Sequence, residues 1–219
     1  MEPADCVLLG AVVGKRAVSA QLAKRERGLR ALAGRFAEID RHDSLALLRL
    51  SLSHPRAVYE LRAGAGFRDT AALAAYDAAL RDVLEGALNV AFDERSWGQC
   101  VLPPVLSGLG IRAPSDLALP AYLSSAAASE TLAASVALGV PDELSVEARA
   151  SWAQATGLAQ PEGPESHSRS LQGPLDHARH KRLVDGLSFP GTSRECALPP
   201  HRSPPLCSEG YQTAVRAHD

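Results

Sequence analysis

Apolar residues at Leu73, Tyr76, Leu80, Val83, Leu84, Ala87 and Leu88 fall at the three- and four-residue steps that line one face of an α-helix. Asp69 or Thr70 stands ready to cap that helix, which has the cleanest period in the chain. Val18, Leu22, Leu29, Leu32, Phe36 and Ile39 keep a similar rhythm and predict a helix over 17–39, in which Gly28 and Gly34 each cost about 1 kcal/mol relative to alanine. Leu45, Leu48 and Leu52 predict a further helix with Asp43 or Ser44 at its N-cap. Pro55 should kink or restart it, Val58, Tyr59 and Leu61 should continue it, and Gly64 and Gly66 should end it. A turn over 93–99 carries Trp97, and Pro103, Pro104, Gly108 and Gly110 force a loop. Ser115 is placed to cap a brief turn before an alanine-rich helix over 121–138, and Pro141 suits the first position of a last helix carrying Leu144, Ala148 and Trp152.

Two stretches break the helical period. The apolar run over 7–13 is short and bounded by Asp5 and Gly14, which predicts a buried strand. After Gly157 the chain turns to Pro161, Gly163, Pro164, Ser166, Ser168 and Ser170, too poor in apolar surface to offset the entropy of ordering, apart from one weak helix over 175–187. The expected architecture is therefore all-α: an irregular bundle of five or six helices over 15–157, a short N-terminal strand remnant over 1–14, and a mostly disordered C-terminal tail over 158–219.

The composition permits one core, since 46% of the 219 residues are hydrophobic, but only 5% are aromatic. A core of Leu, Ala and Val with few large anchors predicts marginal stability. A net charge of -2 and a pI near 6.4 argue against a dedicated nucleic-acid binder. The distribution of charge reverses that argument locally. Between 15 and 35 stand seven basic residues, Lys15, Arg16, Lys24, Arg25, Arg27, Arg30 and Arg35, against the single acid Glu26. Such a stripe is either a solvated helix face or a surface that offsets phosphate charge. No apolar run near the start is long enough to cross a bilayer and no basic leader precedes one, so an intracellular protein with no membrane partner is expected, its four cysteines reduced.

The connector Leu102-Pro103-Pro104-Val105-Leu106-Ser107-Gly108-Leu109-Gly110-Ile111-Arg112 is followed by Leu119-Pro120-Ala121-Tyr122-Leu123-Ser124-Ser125-Ala126-Ala127-Ala128-Ser129. This order resembles the region after the polymerase core in reverse transcriptases of non-LTR retrotransposons, where an "LP...GGLGIR" segment leads into a small-residue helix. Asp5-Cys6-Val7-Leu8-Leu9-Gly10-Ala11 resembles the family's "LLGAP" strand. His42-Asp43-Ser44-Leu45-Ala46-Leu47-Leu48-Arg49 and Pro55-Arg56-Ala57-Val58-Tyr59-Glu60-Leu61-Arg62 are similar to its "HDAL.LLR" and "P+LVYLLR" segments. Ser170-Leu171-Gln172-Gly173-Pro174-Leu175-Asp176 is a fainter match to "Q..WD.P" and lacks the tryptophan. The resemblance covers nearly three-quarters of the chain and fades near residue 185.

That resemblance implies a thumb-like, non-catalytic fragment of an RNA-directed DNA polymerase. Polymerisation needs two metal ions clamped by an adjacent Asp pair in a "Y-x-D-D" turn, and no Asp-Asp pair occurs here. The expected partners are the backbone of an RNA–DNA or DNA duplex, held by the seven basic residues, and a missing palm domain. No small-molecule substrate and no cofactor are expected. A helical protein-interaction module is the alternative.

Other candidate chemistry is weaker. Gly64-Ala65-Gly66 has Asp69 where a dinucleotide fingerprint needs its third glycine, so it reads as a helix stop. His177, His180, Cys196, His201 and Cys207 supply zinc-type donors at spacings that match no standard site. No G-x-S-x-G elbow is present. Trp97 and Trp152 are expected in the core, each with one polar partner for its indole N–H.

Overall fold

A computed structural model of the chain describes residues 6–8, 11–13, 15–36, 38–53, 55, 57–136, 143–159 and 168–186. Helix α1, Lys15–Arg30, buries Val18, Leu22 and Leu29. The predicted helix over 17–39 does not run through. From Leu32 the bonds tighten, Leu32 N–H reaching the Leu29 carbonyl and Arg35 N–H the Leu32 carbonyl, and a short α2, Ala33–Phe36, follows with Phe36 buried. Helix α3, Arg41–Leu47, is capped by Asp40 rather than Asp43 or Ser44, its carboxylate accepting from His42 N–H at 2.8 Å. It widens into a π-helical turn over Leu48–Leu52 that ends ahead of Pro55.

Helix α4, Val58–Ala63, leads through a 3-10 turn, Gly66–Arg68, to α5, Thr70–Leu88. Asp69 caps α5 by accepting from Ala72 N–H at 2.9 Å, and Asn89 ends it in the left-handed conformation at φ 54°. Leu73, Tyr76, Leu80, Val83, Leu84 and Ala87 are buried along α5, the face its period predicts. The segment around Trp97 is a full helix, α6, Glu94–Cys100, because Asp93 accepts from Ser96 N–H at 2.7 Å. Helix α7, Pro114–Val136, starts seven residues before its predicted 121 and carries Pro120 inside it. Helices α8, Glu143–Thr156, and α9, Ser168–Asp185, complete the described chain.

Helix α5 lies against α1 and α7, α4 packs along α7, and α8 and α9 close the remaining side of α7. The larger core gathers α1, α4 and α5 with Ile111, Ala118 and Ala121; a second cluster joins Tyr122, Leu123, Ala148, Trp152 and Leu171. Small residues Ala118, Ala121 and Ala127 are buried on α7, which lets the neighbouring helices approach closely. Trp152 donates its indole N–H to the Leu171 carbonyl at 2.9 Å, so α8 grips α9 through one buried bond.

The expected fold class needs correction. Among the described residues there is no strand of a larger sheet: two three-residue pieces, Cys6–Leu8 and Ala11–Val13, pair with each other, Val7 opposite Val12. From Lys15 onward the described residues contain no strand, and there are more helices than the five or six expected. Within the tail, the weak helix expected over 175–187 begins earlier, at Ser168, so the stretch 168–174 is helical where disorder was expected. Leu171, Leu175 and Leu183 share one side of α9 and seat it on the bundle, within the same compact unit as α1 to α8. Residues 187–219, with Cys196, His201 and Cys207, lie outside the described residues.

Candidate nucleic-acid interface

The buried face of α1 decides which of its basic side chains can meet a ligand. Each residue turns the helix by about 100°, so neighbours in sequence have opposite fates. Lys24 and Arg27 lie away from Val18, Leu22 and Leu29 and are exposed, with no acidic partner among the described residues. Arg25, next to Lys24, leans toward α4 and donates from Nε and Nη2 to Glu60 Oε1 at 3.1 and 2.8 Å. Arg30 is held between Glu26, at 2.5 Å, and Asp82 of α5, at 2.6 Å. Arg35 is exposed on α2. Lys15 and Arg16 begin α1, and their side chains lie outside the described residues. Arg41 and Arg62 are further exposed cations, on α3 and α4, outside the predicted set.

Glu60 is the residue the sequence conceals. It sits among Val58, Tyr59 and Leu61 and is 1% exposed, yet carries a carboxylate. Its Oε1 accepts from Arg25 and, at 3.3 Å, from Gln21 Nε2, while Oε2 has no hydrogen-bond partner among the described residues. A buried carboxylate without a guanidinium beside it would be strongly unfavourable, so Arg25 is committed to joining α1 to α4. Pairing thus removes Arg25 and Arg30 from the predicted stripe as open charges.

The glycine connector is a folded loop pinned to the end of α6. Leu109 N–H reaches the Cys100 carbonyl at 3.1 Å, Gly110 N–H the Leu102 carbonyl at 2.9 Å, and Gln99 Nε2 both the Leu106 and Ser107 carbonyls at 2.9 Å. A Cβ on Gly108 would stand 2.0 Å from the Leu102 carbonyl oxygen, and Gly110 holds φ +74° beneath the Arg49 guanidinium. Ile111 is fully buried. Arg112 then projects to α9, donating from Nη1 to Asp176 Oδ1 at 2.7 Å, where Gln172 Nε2 also donates at 2.9 Å.

The His177 ring nitrogen Nδ1 lies 2.8 Å from the Gly173 carbonyl one turn back. Among the described residues no three His, Cys, Asp or Glu side chains are grouped to hold a metal ion. Gly64 ends α4, and no described helix is long and apolar enough to cross a membrane. Cys100 is buried, which pushes its thiol pKa up and makes it a packing residue. No family model, no curated protein and no solved structure matches the chain.

Proposed function

We propose that the chain is a non-catalytic, thumb-like segment of a retrotransposon-type RNA-directed DNA polymerase that holds a nucleic-acid duplex by its backbone without reading bases. The observation that carries this reading is the row of open cations: Lys24 and Arg27 one turn apart on α1 and Arg35 on α2, all exposed and unpaired among the described residues. Long flexible cations without acidic partners suit phosphate contacts, which fix position and carry no sequence information. The resemblance gains support from Arg112, Gln172 and Asp176. Two separate stretches that resemble family segments, the second only faintly, are bonded together across 64 residues.

Three phosphate contacts predict a salt slope of about −2.7 in log affinity against log salt, a loss of roughly fortyfold between 50 and 200 mM. Fluorescence anisotropy with the full chain and an RNA–DNA hybrid measures it. Replacing Lys24, Arg27 and Arg35 by alanine together should remove most of that slope, while a chain that binds no hybrid even at low salt would refute the proposal.

A protein-interaction module is the second reading, favoured by the exposure of Leu50, at 71%, and Val105, at 87%. Their neighbours Arg49 and Pro104 both stand over Gly110, so the two stretches belong to one region of the surface.

A further inference from the structure

The groove between α1 and α4 has an aromatic lip. Arg25 meets Glu60 across it, and toward the start of α1 a Cβ on Gly66 would stand 3.5 Å from Val18 Cγ1, so α4 and its 3-10 turn run antiparallel to α1. Rotation of about 100° per residue then sets the outer faces of both helices. On α1, the step from Arg25 back to Lys24 leads away from buried Leu22 and Leu29 and out to solvent. On α4, the step from Glu60 back to Tyr59 leads away from buried Leu61 and out on the same side. Lys24 and Tyr59 therefore flank the groove at one level, one on each lip.

Charge around this groove has one sign. Glu60 is the only acid of α4 and is turned inward beneath Arg25, while Glu26, the only acid of α1, lies on the opposite edge with Arg30, toward Asp82 of α5. Lys24 and Arg27 of α1 and Arg62 of α4 are exposed, with no acidic partner among the described residues. The strand Ala11–Val13 packs against both helices and braces the pair. Among the described tyrosines, Tyr76 and Tyr122 are buried, whereas Tyr59 is 47% exposed. Cations alone suit the phosphates of any strand. An aromatic ring set among them suits a strand whose bases are accessible, because a duplex hides its base faces in the stack.

We propose that the α1–α4 groove seats an unpaired nucleic-acid strand, with one base stacked on Tyr59 and the flanking phosphates held by Lys24, Arg27 and Arg62. This inference rests on the reading of the cations as phosphate contacts and adds the place where a single strand continues from the duplex. Every base has a π-face, so the stack tolerates any base and brings no sequence preference of its own. The phenol ring supplies a flat apolar surface, and the neighbouring cations keep the strand along the groove.

Fluorescence anisotropy with the full chain compares a blunt RNA–DNA hybrid with the same hybrid carrying a short unpaired adenine tail that contains 2-aminopurine. The tailed hybrid should bind about fivefold more tightly or better, the lower end of what stacking one base contributes, and the 2-aminopurine emission should be quenched on binding. Tyr59→Phe keeps the ring and should keep both effects. Tyr59→Leu keeps apolar bulk without a π-face and should lose both. Equal affinity for the two hybrids, or none for either, overturns the proposal, as does a tail advantage that survives Tyr59→Leu. Polyglutamate that competes as well as unlabelled tailed hybrid would make the face a general polyanion surface and would overturn it too. Tail binding that depends on the Tyr59 ring, without any affinity for the blunt hybrid, would refute the duplex reading and support this one.

Discussion

Arg25→Ala isolates the role of a cation that looks like part of a phosphate-binding stripe. The substitution leaves the Glu60 carboxylate, 1% exposed, with only the 3.3 Å bond from Gln21. Removing one partner of a buried pair costs about 3–5 kcal/mol, and because the Arg25 side chain is 39% exposed the lower end, about 3 kcal/mol, is expected. A domain of ordinary stability, about 5–15 kcal/mol, survives that loss but its urea midpoint should drop by about 1–3 M. Lys24→Ala, one residue away and without a partner, should change stability by no more than about 0.5 kcal/mol. Adding Glu60→Gln to Arg25→Ala removes the stranded charge and should restore part of the loss, so the double-mutant cycle reports coupling. An Arg25→Ala midpoint indistinguishable from the parent, with Lys24→Ala equally silent, would refute the division of the stripe into structural and open cations.

Gly108→Ala forces a Cβ to within 2.0 Å of a backbone oxygen, so the connector must open and lose its bonds to α6; a loss of about 2–4 kcal/mol is expected in urea unfolding, and a change below 0.5 would contradict the loop geometry. Trp152→Phe deletes the indole donor to the Leu171 carbonyl, at a cost of about 0.5–1.5 kcal/mol, with exchange quickening first in the α9 amides. Equal quickening throughout the chain would mean that α9 is not seated as a separable unit.

The parts of the fold legible in the sequence are those whose determinants lie close together along the chain. Helix α5 combines a strong period with Asp69 three residues before Ala72, so its cap and buried face could both be read. The end of α1 could not, since Leu32 and Phe36 keep the period while the hydrogen bonds shift at Leu32. Helix α9 could be read only from 175 onward, as a weak helix. Its apolar marks, Leu171, Leu175 and Leu183, are diluted by Pro174, Ser168 and four consecutive polar or basic positions from Arg179, so composition outweighed a sparse stripe. The run over 7–13 had strand composition, and its described parts pair with each other as a short hairpin.

The candidate interface was legible as a count of charges and illegible as a surface. Two of the five stripe residues with described side chains are bound to acids, and one of those acids, Asp82, lies 52 residues away in sequence. Glu60 could be suspected only from its place between apolar residues, because a carboxylate there is costly unless a cation reaches it. Once Arg25 is assigned to that task, positive charge on this face measures folding and binding together, and the two separate by geometry alone. The outward residues Lys24 and Arg27 carry the field a polyanion would meet. The inward-leaning Arg25 joins α1 to α4, so loss of stability at Arg25 and loss of the proposed salt-dependent binding at Lys24 and Arg27 would be distinct consequences of one helix's rotation.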